Sequence, residues 1–139
     1  PVERLPTDTV FKPMKQTEEI AFASAVMHAA VTCKEDEEIT TVAQRIITRS
    51  VNHVVVVDNQ GKLSGVVTSW DITKAVAEGK RKLSEIIVRK VVTTTPNESL
   101  EAASRKLAQH NISALPVIDH DKKVLGIITS EDISKLIGR

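Results

Sequence analysis

One segment occurs twice in this chain, as Gly65-Val-Val-Thr-Ser-Trp-Asp-Ile-Thr-Lys74 and as Gly126-Ile-Ile-Thr-Ser-Glu-Asp-Ile-Ser-Lys135, at an offset of 61 residues (126 − 65). Followed backwards, the same offset holds without a gap and aligns Asp58 with Asp119 and Glu37 with Glu98. Chance does not keep one register over such a span. A repeat of this size indicates that each copy is one supersecondary unit, whose open apolar face is covered by its neighbour.

Each copy is predicted to begin with a strand and an amphipathic helix. Asp36 and Asn97 share one repeat position, and their side chains suit the start of a helix, where backbone N–H groups lack partners. The residues that follow recur at helical spacing, which predicts one buried stripe on each helix. The stripe residues are Ile39, Val42, Ala43, Ile46 and Ile47 in the first copy and Leu100, Ala103, Leu107 and Ala108 in the second.

A hairpin and a second helix complete the predicted unit. The β-branched runs Val54-Val-Val-Val57 and Leu115-Pro-Val-Ile118 each precede a polar turn and a second apolar strand, which predicts a hairpin covered on both faces. Ser69 and Ser130 are expected to cap the helices that follow. The apolar positions of those helices are Ile72, Ala75 and Val76 in one copy and Ile133, Leu136 and Ile137 in the other. The predicted fold class is therefore α/β (α+β), as two tandem βαββα repeats.

Composition excludes several kinds of partner. The 19 basic and 18 acidic residues give a net charge of +1, and one Trp, two Phe and no Tyr offer little for stacking bases, so a nucleic-acid partner is disfavoured. Cys33 is the single cysteine, and no apolar run approaches the length of a membrane span. We expect a soluble, cytoplasmic chain without a membrane partner. Because it begins at Pro1 without Met, we also expect it to be part of a longer protein.

The repeat predicts the domain boundaries. Residues 1–19 lie outside it and hold three of the five prolines, which indicates an arm or linker. The first unit is expected over residues 20–79 and the second over residues 80–139. The basic triplet Lys80-Arg-Lys82 is interpreted as a solvated part of the connection and not as a phosphate clamp.

The strand-to-helix junction Thr-Ser-x-Asp carries the chemistry. It places free backbone N–H groups, two hydroxyls and a carboxylate within one short arc. An ionised Asp only accepts hydrogen bonds and repels phosphate, so it suits the vicinal diol of a ribose, as in dinucleotide-binding folds. We therefore hypothesise a ribose at Asp71 and another at Asp132. The alternative interpretation is that each junction is only a helix-capping motif.

The repeat, both Thr-Ser-x-Asp segments and the stretch His110-Asn-Ile-Ser-Ala-Leu-Pro-Val-Ile-Asp119 together resemble cystathionine-β-synthase (CBS) domain motifs. The resemblance covers residues 20–138, and it is closest to the CBS pairs of archaeal homocysteine-biosynthesis proteins. Some of those bind S-adenosylmethionine and 5′-methylthioadenosine. The resemblance implies a pseudo-twofold pair with two clefts, often assembled as a homodimer through its helices.

The resemblance also implies ligand-binding residues, because each cleft combines the Thr and Asp of one motif with the entry to the central strand of the other. One cleft is expected to contain Thr129, Ser130, Asp132, Val51, Asn52 and His53. The other is expected to contain Thr68, Ser69, Asp71, Ile112, Ser113 and Ala114. The segments 27–32 and 88–93 are expected on the adenine side. Since Asn52 and His53 replace Ser113 and Ala114, the first cleft has more hydrogen-bonding groups and is expected to bind more tightly.

The leading hypothesis for function is a regulatory module that senses an adenosine-containing small molecule. S-adenosylmethionine or methylthioadenosine is favoured, with AMP or ATP next, and cleft closure would be transmitted to an attached or partner domain. No cofactor, metal site or catalytic residue is expected, because the four histidines are scattered and no acid, base and nucleophile gather together. The rival hypothesis is a dimerisation module with vestigial clefts.

Overall fold

The structure, a computed structural model, describes residues 22–137, so the predicted arm at residues 1–19 lies outside the described residues. The first unit contains α1, β1, α2, β2, β3 and α3, and the second contains a short 3₁₀ helix, α4, β4, β5 and α5. In the first unit the elements are α1 (Ala23–Val26), β1 (Thr32–Lys34), α2 (Ile39–Arg49), β2 (His53–Val57), β3 (Leu63–Thr68) and α3 (Ser69–Ala77). In the second they are the 3₁₀ helix (Leu83–Glu85), α4 (Leu100–His110), β4 (Ala114–Ile118), β5 (Val124–Thr129) and α5 (Ser130–Ile137).

Both predicted hairpins are present, but the sheets differ at their outer strand. β2 pairs antiparallel with β3 and parallel with β1, whereas β4 pairs with β5 alone among the named strands. Val55 donates its backbone N–H to Val31, and the matching residue, Pro116, has no N–H to donate. The pairing of Thr94 with Val117 therefore remains a single parallel bridge, and the first strand of the second βαββα unit is reduced to that bridge.

The predicted caps of α2 and α4 were wrong by two residues. The N-cap residues are Glu38 and Ser99, both in extended conformation, and the Ser99 hydroxyl accepts from the Ala102 N–H. Glu38 makes no side-chain cap, and its backbone bridges to Lys82 instead. Both helices end in a left-handed residue, Ser50 or Asn111.

The buried stripe on the first unit's helices is narrower than predicted. Ile39, Val42 and Ile46 of α2 are buried, as are Ile72 and Ala75 of α3. Ile47 and Val76 were assigned to the stripe, and this assignment was wrong: they are 77% and 70% exposed. Each directly follows a buried stripe residue in sequence, so a rotation of about 100° carries it off the core-facing side.

The lead-in segment at the start of each unit packs onto the other unit. Ala23 of α1 is buried in the second unit's core with Ala103 and Leu107, and its N–H donates to Glu98 O. Leu83 of the 3₁₀ helix is buried in the first unit's core instead. The two units therefore exchange their lead-in segments.

A third apolar cluster joins the two sheets. Val55, Val57 and Ile127 are buried together there. The hairpin turns also meet, because Leu63 N donates to Lys122 O at 2.9 Å and Val124 N donates to Gly61 O at 3.1 Å. These matched contacts make one pseudo-twofold pair, as the resemblance implied.

Candidate functional site

The two Thr-Ser-x-Asp junctions form identical capping boxes. Thr68 N donates to Asp71 Oδ2 at 2.8 Å, and Asp71 N donates back to Thr68 Oγ1 at 3.1 Å. Thr129 and Asp132 repeat both distances. The caps of α3 and α5 are thus the threonines and not the predicted serines. The box fixes each carboxylate at the first turn of a helix, where the helix dipole favours its negative charge.

Capping and ligand recognition are compatible at these carboxylates. The box, together with a bond from the threonine hydroxyl, uses only Oδ2 of each Asp. Within residues 22–137, Oδ1 of Asp71 and of Asp132 accepts no hydrogen bond, and both residues line a cavity. Each junction therefore leaves one carboxylate oxygen available to a hydroxyl donor.

The first cavity, of about 530 Å³, brings together all six residues that the resemblance assigned to one cleft. They are Val51, Asn52, His53, Thr129, Ser130 and Asp132. His28 and Ala29, from the lead-in segment, also line it. The His28 Nε2–H donates to Asp132 Oδ2 at 2.9 Å, so the segment is fastened directly to the acid of the other unit.

The second cavity, of about 460 Å³, contains five of the six residues assigned to the other cleft. They are Thr68, Asp71, Ile112, Ser113 and Ala114. Ser69 lies at the first cavity instead, because its hydroxyl donates to Asn52 Oδ1 at 3.2 Å. The expected adenine-side segment is represented here by Val88, Lys90, Val91 and Val92.

A common wall separates the two cavities. His53, Thr68, Ser113 and Ile127 line both of them. His53 Nε2 and Ser113 Oγ are hydrogen-bonded at 2.9 Å, so the wall is a polar contact between the units. Burial lowers the pKa of His53, against a smaller opposing effect of Asp71, and this keeps the imidazole neutral at physiological pH.

The two cavities differ in polarity. The first cavity is also lined by Trp70, Glu131 and Lys135, which the sequence analysis did not assign to either cleft. Glu131 and Lys135 share α5 with Asp132, so helical spacing from Asp132 was the signal for them. The second cavity is largely aliphatic, and Lys90 and Asp71 are the only Lys, Arg, Asp or Glu among its described lining residues.

Other chemistry that the sequence raised receives little support in the described part of the chain. Cys33 is buried in the first unit's core, and burial raises the pKa of its thiol to about 11, far from that of a nucleophile. Among residues 22–137, no cluster of three or more His, Cys, Asp or Glu is arranged to hold a metal ion. In the same range no helix has the length and apolarity needed to cross a membrane.

Relatives of known name share this sequence over a small part of their length. The chain is 43% identical over 141 residues to an L-aspartate semialdehyde sulfurtransferase of Methanosarcina acetivorans, which covers the whole chain but 28% of the relative. It is 48% identical over 105 residues to a homoserine O-acetyltransferase of Methanosphaerula palustris, covering 76% of the chain and 21% of the relative. The chain thus spans about a quarter of the length of these enzymes.

Solved structures agree with the fold. A CBS domain pair in complex with 5′-methylthioadenosine and S-adenosyl-L-methionine superposes with a TM-score of 0.81 at 38% identity, over 84% of this chain and 95% of that one. The cytosolic domain of the Mg²⁺ channel MgtE in complex with ATP superposes with a TM-score of 0.75 at 25% identity, over 84% of this chain and 49% of that one. The family model of the CBS domain matches residues 23–78 and again 83–139. The resemblance is confirmed, and this chain belongs to the CBS domain family as a tandem pair.

Proposed function

We propose that this CBS pair is a regulatory module that binds an adenosine-containing ligand, with S-adenosylmethionine or 5′-methylthioadenosine favoured over AMP and ATP. The observation that carries the proposal is Oδ1 of Asp71 and of Asp132, which accepts no hydrogen bond within residues 22–137 while a capping box fixes each carboxylate at a cavity. A ribose diol donates to such an oxygen, whereas a phosphate is repelled by it.

The ligand contacts that we propose are those gathered at each cavity. In the first cleft, Asp132 binds the ribose, and Asn52 and His53 supply further hydrogen bonds. In the second cleft, Asp71 binds the ribose, Ile112 to Ala114 line the cleft from the other unit, and the segment 88–93 lies on the adenine side. The first cleft has more polar groups, so we propose that it is the tighter site. The bound S-adenosylmethionine and methylthioadenosine of the 38% identical pair support this choice of ligands.

Ligand binding is proposed to act by closing the two units around the clefts. Each cleft takes residues from both units, so a ligand that contacts both favours the closed arrangement by its difference in affinity. An attached domain that prefers one arrangement would then be regulated. We propose no catalysis by this module, and the enzymatic names of its relatives belong to much longer proteins.

Titration calorimetry with S-adenosylmethionine, methylthioadenosine, AMP and ATP tests the proposal. Asp132→Ala is expected to weaken binding at the first cleft by about tenfold, since a hydrogen bond to a charged group is lost. Glu101→Ala, on the exposed face of α4, is the control that also removes one carboxylate and is expected to leave binding unchanged. An unchanged affinity of Asp132→Ala would refute the ribose assignment, and a lack of binding to all four compounds would refute the function.

Exposed apolar side chains on the first unit's helices favour a second candidate, a homodimerisation module. Ile47 and Val76 are the two most exposed large apolar residues of the described chain. Light scattering of the wild type and of Ile47→Glu/Val76→Glu tests this candidate. A wild-type dimer that the variant converts to monomer, at the same mass with or without adenosyl compounds, would favour assembly over ligand sensing.

A further inference from the structure

Three largely exposed side chains line the first cavity and not the second. They are Trp70, Glu131 and Lys135. Lys74 is the repeat-matched residue of Lys135, and it lines neither cavity. Trp70 is the chain's single tryptophan and is 69% exposed, which is unusual for so large an apolar surface. The two clefts therefore differ in this exposed group of side chains.

Glu131 and Lys135 form an ion pair that a ligand can replace at little cost. Their side chains are four residues apart on α5, with Nζ and Oε1 at 3.3 Å, and both are largely exposed. An exposed pair of this kind contributes little to stability, so opening it is inexpensive. Asp132 follows Glu131 directly, and hence the carboxylate and ammonium lie within one helical turn of the proposed ribose site.

We propose that the first cleft is specific for an adenosyl ligand with an intact amino-acid arm, as in S-adenosylmethionine, and that Trp70, Glu131 and Lys135 recognise that arm. This inference rests on the proposed function. Glu131 pairs with the α-ammonium and Lys135 with the α-carboxylate. The indole face of Trp70 attracts the sulfonium, as aromatic rings attract other organic cations. A polyphosphate arm would meet Glu131 and Asp132 and be repelled.

The second cleft lacks this set of groups and suits an uncharged arm. Its walls include Val66, Val88, Val91 and Ile112, with Lys90 as the sole Lys or Arg among the described lining residues. An α-ammonium placed against such a surface would lose water without gaining a partner other than Asp71, which the ribose occupies. A methylthio group carries no charge that must be desolvated at this surface, and its burial is favourable. The second cleft therefore prefers the thioether without the amino-acid arm.

Calorimetry with three adenosyl compounds separates the contribution of the amino-acid arm to binding from that of the sulfonium. S-adenosylmethionine has the arm and the sulfonium, S-adenosylhomocysteine has the arm alone, and methylthioadenosine has neither. In the full chain carrying Asp71→Ala, which weakens the second cleft so that the tighter binding step reports the first, Lys135→Met and Glu131→Gln are each expected to weaken the first two ligands by about threefold to tenfold. Methylthioadenosine is expected to keep its affinity. Trp70→Leu is expected to weaken S-adenosylmethionine about threefold more than S-adenosylhomocysteine.

Two controls show whether these effects are specific. Lys74→Met removes the repeat-matched lysine and is expected to change no affinity, and Lys135→Arg is expected to retain wild-type affinity. Equal weakening of methylthioadenosine and S-adenosylmethionine by Lys135→Met, or no weakening of either, would overturn the inference. A wild-type chain that binds none of the three compounds would refute the proposed function itself, so the two failures are distinguishable.

Discussion

His53 lies in the wall that both cavities share, and burial lowers the pKa of its imidazole. In the unfolded chain the pKa returns to about 6.5. At a pH between the folded-state and unfolded-state pKa of His53, the unfolded state binds more protons than the folded state. The free energy of unfolding therefore falls as the pH drops through about 6.5. Above that pH both states are neutral and the effect vanishes. We therefore expect His53 to destabilise the fold only in acid.

Urea unfolding of the wild type and of His53→Gln between about pH 5 and pH 8 measures this effect. Gln keeps a hydrogen-bonding group for Ser113 but does not titrate, so the variant is expected to lose less stability on acidification than the wild type. His120→Gln is the control, since His120 is highly exposed, and it should follow the wild type. Parallel profiles for His53→Gln and the wild type would contradict the expectation.

The capping threonines make a second residue-scale prediction. Thr129→Val keeps the shape of the side chain but removes the hydroxyl that accepts from Asp132 N, and it should destabilise the chain by about 1 kcal/mol. Ser130→Ala should change stability by less than about 0.5 kcal/mol, because the serine is not the cap. Thermal unfolding of the two variants measures these changes. An equal loss of stability in both would contradict the assignment of the threonine as the cap.

At the scale of elements, the two hairpin turns place different residues at one repeat position. Gly61 has φ of 79° and Lys122, its counterpart, has φ of 66°. The left-handed conformation costs a residue with a Cβ about 1 kcal/mol or more, whereas glycine adopts it freely. The second hairpin is thus strained where the first is not.

Lys122→Gly is accordingly expected to stabilise the chain by about 0.5 to 1 kcal/mol, and Gly61→Lys to destabilise it by a similar amount. A Cβ at Gly61 would meet no atom within 4 Å, so any loss reports backbone conformation and not a clash. Lys123→Gly, at a neighbouring residue outside the left-handed region, should instead destabilise. Chemical denaturation measures all three variants, and a loss of stability in Lys122→Gly would be the contrary result.

Repeat arithmetic and hydrophobic spacing predicted both hairpins and the helices that flank them, whereas the residues around the two acids were implied by the resemblance to CBS motifs. They did not predict which side of a helix a marginal apolar residue takes, because Ile47 and Val76 differ from the buried stripe by one position only. Nor did they predict the loss of a strand at Thr94, which follows from the missing N–H of Pro116. Trp70 was not assigned to the first cleft, because it lies on α3 next to Asp71, which faces the second cavity.

Ion pairs at matched positions show what the repeat preserves within each unit. Arg45 bonds to Glu37 and to the carbonyl of Thr32, and Lys106 does the same with Glu98 and Thr93. The bond from Arg45 lowers the pKa of Glu37, and that from Lys106 lowers the pKa of Glu98 against the effect of burial. Each pair ties the start of a unit to the amphipathic helix that follows, and the residues of the two pairs lie 61 positions apart.

For the whole molecule, the exchanged lead-in segments make each core depend on the chain of the other unit. Leu83 belongs to the lead-in segment of the second unit, yet it is 1% exposed within the core of the first. The reciprocal contact is made by Ala23, which is buried in the core of the second. Loss of either contact therefore weakens the core of one unit and releases the lead-in segment of the other unit. We expect the two units to unfold in one transition.

Leu83→Ala tests this dependence, and it is expected to cost about 2 to 5 kcal/mol, as other buried leucines do. Fluorescence of Trp70 follows the first unit, and hydrogen exchange in β4 and β5 follows the second. Both are expected to shift together to lower denaturant, because removing the Leu83 contact loosens the segment that enters the second unit. Leu125→Ala, at a 45% exposed leucine, is the control and should cost far less. A transition of Trp70 that moves alone would show that the units fold independently despite the exchange.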